Sequence, residues 1–262
     1  PKVDESILMS LPYPEAKPLA EYMMLTKRIG QLAEGDAAWL KLVKEDRIHG
    51  YVNHNGAVSD RCKHSRPNIG QVPAVRAPFG KDCRELFTVR PGYKLVGADM
   101  SGLELRCLAH YLYTWDEGEY AKEILSGDIH TMNQWAAGLE TRDQAKTFIY
   151  AFLYGAGSAK IGDVVGGGVK EGTMLKRRFL KTLPALQSLI DAVEQKVKAT
   201  GSLKGLDGRP LPVRSVHSAL NLLLQSCGAV LMKKATVILM DQIKKRGLDA
   251  RLVAHVHRSE ER

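Results

Sequence analysis

The sequence predicts an α+β fold, on three observations. Strand-like segments lie toward the two ends, helical periodicity fills the middle from about residue 117 to 200, and turn or capping signals separate the two kinds of segment. Together they describe an antiparallel sheet assembled from distant parts of the chain, flanked by helices, with a mostly helical insertion between its strands.

From about Glu15 to Glu45, apolar residues recur at helical spacing (Leu19, Tyr22, Met23, Leu25, Ile29, Leu32), with Gly30 and Gly35 as weak points. Residues Ile48 to Val58 read as a hairpin turning at Asn55-Gly56, and Arg61 to Pro78 as a loop. Lys94 to Asp99 reads as a short strand. Ser101, with Glu104 three residues on, then forms a capping-box pattern that opens a helix running to about Tyr113. A second such box, Thr141-Arg142-Asp143-Gln144, starts a helix that Gly155 ends. Lys204 to Val213 reads as a hairpin around Asp207-Gly208. A long helix follows from His217 to Arg246, stopped by Gly247, and Ala250 to His257 is a last strand.

The 262 residues are 44% hydrophobic and 26% charged, which excludes wholesale disorder and collagen-like repeats. A net charge of +9 suits a polyanionic partner, although many basic proteins bind none. Cys62, Cys83, Cys107 and Cys227 form no CxxC pair and read as reduced, cytoplasmic thiols. No membrane is expected, because Asn221, Gln225, Lys233 and Lys234 interrupt the most apolar region. The polar start, without Met or secretory leader, reads as part of a longer polypeptide.

Two places carry candidate chemistry. Asp99 puts a carboxylate between a strand and a helix, where it reads either as a metal ligand or as an acid stabilised by the helix dipole. Glu104 is either the capping partner of Ser101 or a ligand-facing side chain. Arg142, Lys146, Tyr150 and Tyr154, spaced by four, drift slowly around one side of a helix. Two cations followed by two aromatics suit phosphates and then a sugar or base; they equally describe a solvated basic turn followed by half-buried tyrosines. His130 is a further phosphate contact or a structural histidine. Gly155 to Lys160 lacks the Walker A pattern, and Gly166-Gly167-Gly168 follows no strand, so neither reads as a nucleotide loop.

Val96-Gly97-Ala98-Asp99-Met100-Ser101-Gly102-Leu103-Glu104-Leu105-Arg106 resembles motif A of family A (Pol I-type) DNA polymerases. Arg142 to Tyr150, with Leu153-Tyr154-Gly155, resembles motif B, the O helix of the fingers. Gly127-Asp128-Ile129-His130-Thr131 and Lys204-Gly205-Leu206-Asp207-Gly208-Arg209 resemble the podophage replicative branch. The resemblance implies residues 1–47 as the helical end of the thumb, 48–111 as the first part of the palm, 112–220 as the fingers with the O helix at about 141–154, and 221–262 as the second part of the palm. It implies template-directed transfer of nucleotides from dNTPs to a primer 3′ end, by two Mg²⁺ ions held partly by Asp99. Arg142, Lys146 and His130 would clamp the triphosphate. Glu104 would sit under the sugar, Tyr150 beside its 3′ position and Tyr154 by the template base. Arg61, Asn221, Gln225 and His257 would contact DNA, Arg61 and Gln225 from the minor groove, where every base pair offers acceptors. The implied partners are primer-template DNA, dNTPs and, through segments outside these residues, a processivity factor. The implied setting is the host cytoplasm.

Two departures stand out. Ser59-Asp60-Arg61 replaces the family's Thr-Gly-Arg, so the loop around Arg61 is expected to differ. Val256-His257 matches motif C, but Arg258-Ser259 stands where the family has Asp-Glu. A guanidinium there would repel a divalent cation, leaving Asp99 a poor anchor for two ions. A coding fragment with an altered tail, an interrupted gene and an inactive homologue that still binds primer-template and dNTP all fit. The fragment is the first expectation, because the departure is abrupt and local.

Overall fold

The computed structural model describes residues 3–255. The chain divides into two compact units. The first contains residues 3–56, 62–96 and 254–255; the second contains 57–61 and 97–253.

The first unit contains helices α1 (Glu5–Ser10), α2 (Ala16–Ile29), α3 (Trp39–Leu42) and α4 (Gly80–Glu85). Its strands are β1 (Val43–Lys44), β2 (Arg47–Ile48), β3 (Tyr51–Asn53) and β4 (Lys63–Ser65). Asp4 caps α1 by accepting from the Ile7 amide at 3.1 Å. The two glycines that weaken the helical pattern mark where α2 gives way: a π-helical turn runs over Gly30–Glu34 and Gly35 ends it. Trp39 packs edge-on against Phe87, with ring centroids 5.1 Å apart. β3 pairs antiparallel with β4, not with residues directly beyond Asn55-Gly56. The expected tight hairpin is therefore a ribbon closed by a longer loop. Within that loop, the Asn55 and Gly56 amides turn back onto Asn53 instead of starting a ladder.

The second unit is helical: α5 (Leu103–Asp116), α6 (Glu119–Ser126), α7 (Ile129–Ala137), α8 (Arg142–Leu153), α9 (Ser158–Gly162), α10 (Val169–Thr182), α11 (Pro184–Thr200) and α12 (Ala219–Lys245). One ribbon, β5 (Ser202–Lys204) with β6 (Pro210–Pro212), forms the expected hairpin around Asp207-Gly208. Pro184 opens α11, and Gly201, at φ 67°, closes it. Phe148 and Phe179, both fully buried, meet edge to face at 5.1 Å, and Phe152 stands 5.4 Å from Phe179. Each fully buried aromatic side chain contributes roughly 1.5–3 kcal/mol of transfer free energy.

The small antiparallel sheets and helical insertion agree with the α+β expectation. The described strands form three separate two-stranded ribbons, however, and not one sheet. Neither Lys94–Asp99 nor residues 250–255 carry a ladder. A strand exists through its partner, and these expected partners do not pair among the described residues. The segment 256–262 lies outside the described residues, so the motif C expectation is not addressed there.

By length and composition, the helix over Val216–Lys245 is apolar enough to cross a membrane, even with Asn221, Gln225, Lys233 and Lys234 within it. Its first half, from Leu223 to Ala229, packs into the core of the second unit, as the core helix of a globular protein does.

Candidate functional site

Glu104 joins two other sequence candidates, Arg61 and Tyr154. Near the start of α5, its Oε1 accepts from Arg61 Nη2 at 3.2 Å and from the Tyr154 hydroxyl at 3.1 Å. All three residues are half-buried, which strengthens a charge-assisted contact relative to the same pair in open water. The expected capping role of Glu104 is not formed. Gly102, at φ 60°, is the cap residue of α5 and no side chain caps the helix. A left-handed residue there leaves Ser101 one position too early to reach the third amide. Ser101 instead offers its carbonyl to Arg106 Nε at 2.9 Å, and the Glu104 carboxylate takes two side-chain donors.

α8 carries the cationic and aromatic stripe. Both halves of its capping box form: Thr141 Oγ1 accepts from the Gln144 amide at 3.2 Å, and Gln144 Oε1 accepts from the Thr141 amide at 3.2 Å. At the other end the Ala156 amide reaches back to the Ala151 carbonyl at 2.9 Å, and Gly155, at φ 71°, supplies the left-handed turn. The helix is thus fixed at both ends, with Arg142 at its start and Tyr154 at its close.

Arg142 is engaged by a carboxylate. Its Nε lies 2.6 Å from Asp128 Oδ2 and its Nη2 lies 3.1 Å from Oδ1, a bidentate pair. Asp128 also caps α7, accepting from the His130 amide at 3.1 Å and from Thr131 Oγ1 at 2.9 Å. The Arg142 guanidinium, helped by Thr131, holds the Asp128 carboxyl well below the usual carboxylate range. His130 stands 6.4 Å from Tyr150, ring centroid to ring centroid. Burial, then the positive charge of Arg142, pushes the His130 imidazole down, with Lys146 adding to the effect. Its buried Nδ1 has no hydrogen-bond partner among the described residues. His130, Arg142, Lys146 and Tyr150 form one neighbourhood of anion-seeking and aromatic groups.

Asn221 and Gln225 share one face of α12, as their spacing requires. Gln225 Nε2 donates to Asn221 Oδ1 at 2.8 Å, and both are half-buried. Asp99 is exposed, in an irregular segment before α5 rather than at the end of a strand. A strand edge is rigid only when its ladder forms, and Lys94–Asp99 has none among the described residues. His257 lies outside the described residues.

The sequence profile of DNA polymerase family A matches residues 1–259. The chain belongs to this family. Relatives named DNA-directed DNA polymerase, from Enterobacteria phage T3 and Escherichia phage T7, are each 46% identical over 278 aligned residues. Each alignment covers 95% of this chain and 39% of the relative, so the chain spans about two fifths of their length. A relative from Aquifex aeolicus, named DNA polymerase I, is 26% identical over 97% of this chain and 45% of its own length. In fold, the chain resembles a solved polymerase domain of Pol1 from M. smegmatis, in complex with DNA primer-template and dNTP. The TM-score is 0.74 at 23% identity, covering 93% of this chain and 45% of that one.

One cluster near these candidates escaped the sequence reading except as a departure from pattern. Asp60 is buried, at 3% exposure, with φ 65°. Its Oδ1 lies 2.6 Å from Arg209 Nη1 and its Oδ2 lies 2.8 Å from Lys233 Nζ. Arg209 also reaches Asp207 at 2.8 Å. Burial alone would raise the Asp60 pKa, but hydrogen bonds and charge from Arg209 and Lys233 outweigh it and leave the carboxyl below its ordinary value. The only sequence signal was an acid where the family has glycine. Neither cation is close to it in the chain.

Proposed function

We propose that this chain forms the nucleotide- and primer-binding part of a template-directed DNA polymerase, which transfers a nucleotide from a dNTP to a primer 3′ end. The observation that carries this reading is the meeting of Arg61, Tyr154 and Glu104 on one carboxylate. These are the residues the family resemblance assigns to the primer minor groove, the template base and the incoming sugar. The same resemblance supports a partition into thumb end, palm and fingers.

In this reading the triphosphate is bound by Arg142, Lys146 and His130. Phosphate oxygens take over the guanidinium fork that Asp128 now occupies. His130 offers a ring N–H to a phosphate oxygen. Tyr150 packs beside the sugar and Glu104 lies beneath it, where a ribose 2′-hydroxyl would crowd a carboxylate already committed to two donors. Tyr154 stacks near the template base, and Arg61 and Gln225 offer donors to acceptors common to every base pair.

Family A DNA polymerases are generally metal-dependent, and two Mg²⁺ ions would neutralise charge as phosphoryl transfer proceeds. The described residues do not compose such a site. No group of three or more His, Cys, Asp or Glu side chains that could hold a metal ion occurs among them, and Asp99 alone offers too few oxygens for hard cations. No step here runs through a metal.

Binding of a labelled primer-template and of a dye-labelled dNTP, each measured on the chain and on Lys146→Ala, tests the proposal. Loss of one charge-assisted phosphate contact weakens dNTP binding about tenfold, while primer-template affinity stays within about twofold. Equal loss of both would reduce the stripe to a general basic patch.

A further inference from the structure

Asp60 stands where the family pattern has glycine, and it keeps a glycine-like backbone. At φ 65° it lies in the left-handed region that L side chains adopt only at a cost. The turn is closed by the Asp60 amide, which donates to the Ala57 carbonyl at 2.9 Å. What the side chain adds is an anchor at each oxygen. Arg209 approaches from the tip of the β5–β6 hairpin and Lys233 from the middle of α12, at 2.6 and 2.8 Å. The next residue along is Arg61, whose guanidinium reaches Glu104 at 3.2 Å.

We infer that Asp60 is a positioning residue: by fastening its turn to the hairpin and to α12, it presets the Arg61 guanidinium on the Glu104–Tyr154 pair, ready for the primer terminus. The consequence for DNA rests on the reading of Arg61 given above; the positioning itself does not. Electrostatics makes the inference distinctive. Removing Asp60 raises the net positive charge beside a proposed DNA surface, which by itself tightens binding to phosphates. Loss of a positioning residue weakens it. The two effects have opposite signs.

The test compares wild type, Asp60→Gly, Arg61→Ala and the double variant in the full chain, with Asp60→Asn in place of Asp60→Gly should the glycine variant not fold. Thermal midpoints accompany each measurement. The probe is a fluorescein-labelled primer-template with a dideoxy-terminated primer, read by anisotropy at fixed salt. Asp60→Gly is expected to bind about tenfold more weakly, and the double variant no more weakly than Arg61→Ala alone, because a residue acting through Arg61 has nothing left to act on. Where Arg61→Ala itself weakens binding, Asp60→Gly affinity equal to or tighter than wild type, or losses that simply add, would overturn the inference.

A readout without DNA separates the two claims. The Arg61 guanidinium ¹⁵N resonance, identified by its absence in Arg61→Ala, should show hindered rotation in wild type and lose it in Asp60→Gly. Unchanged rotation sinks the positioning role. Hindered rotation lost in Asp60→Gly, with binding unmoved by Arg61→Ala, upholds the positioning and sinks only the assignment of Arg61 to DNA.

Discussion

α8 and the segment Lys94–Asp99 both hold residues that resemble family motifs, the second from Val96 onward, yet they end in opposite states. In α8, Phe148 and Ile149 are fully buried and both helix ends are capped. In the other segment, Leu95 is 60% exposed, Val96 is 84% exposed and no ladder forms among the described residues. Residues 252–253 repeat the second pattern: Leu252 is 47% exposed and Val253 is 70% exposed. A helix satisfies its backbone within itself, and its caps come from the next few residues. A strand must borrow every hydrogen bond from elsewhere. The comparison separates motifs that carry their own structure from motifs that wait for a partner.

The most direct way to break it is to truncate one apolar side chain of each kind. Phe148→Ala empties the centre of the ring cluster and should cost about 3–5 kcal/mol in denaturant unfolding. Val253→Ala should change stability by less than about 0.5 kcal/mol. A cost above about 1 kcal/mol for Val253 would mean that this segment is packed in solution and the contrast is false.

A smaller effect sharpens the local side. Thr141→Ala removes one half of the capping box that starts α8 and should lower stability by about 1 kcal/mol, seen as an earlier unfolding midpoint with an unchanged denaturant slope. The corresponding change at Ser101, whose side chain caps nothing in α5, should be close to neutral. Equal losses at the two serine/threonine positions would restore the capping box that the sequence suggested at Ser101.

This pair of boxes shows how far the sequence was legible. Both had the right residues at the right spacing, and only the one at Thr141 formed. Gly102, adjacent to Ser101, took the left-handed conformation that moved the helix start, and a four-residue pattern does not register its neighbour's φ. The helical insertion, the α8 ends and the Asp207-Gly208 hairpin were readable because their determinants lie within a few residues. The sheet was not, since its pairing is non-local. The site divides the same way. The stripe on α8 and the Asn221–Gln225 face followed from periodicity. Asp128 on Arg142 and the two cations on Asp60 required the fold to bring charges together. Glu104 was named as a ligand-facing candidate, but its two protein donors come from 43 and 50 residues away.

The last prediction probes the non-local side through protons. The Asp60 carboxyl is depressed in the folded chain, so the unfolded state binds its proton at a higher pH than the native state does. Stability from this group is fully present above the unfolded aspartate value of about 3.9 and is lost as pH falls through the folded value. Asp128, Asp207 and Glu171 are depressed as well, so an acid limb alone does not isolate Asp60. The difference between wild type and Asp60→Asn does, since the other three titrate in both. Wild type should lose more stability than the variant between neutral pH and the acid range, with the gap opening below about pH 5 and never steeper than one proton's worth, about 1.4 kcal/mol per pH unit. Parallel acid limbs would mean that Asp60 meets Arg209 and Lys233 in solution no more closely than an unfolded chain does.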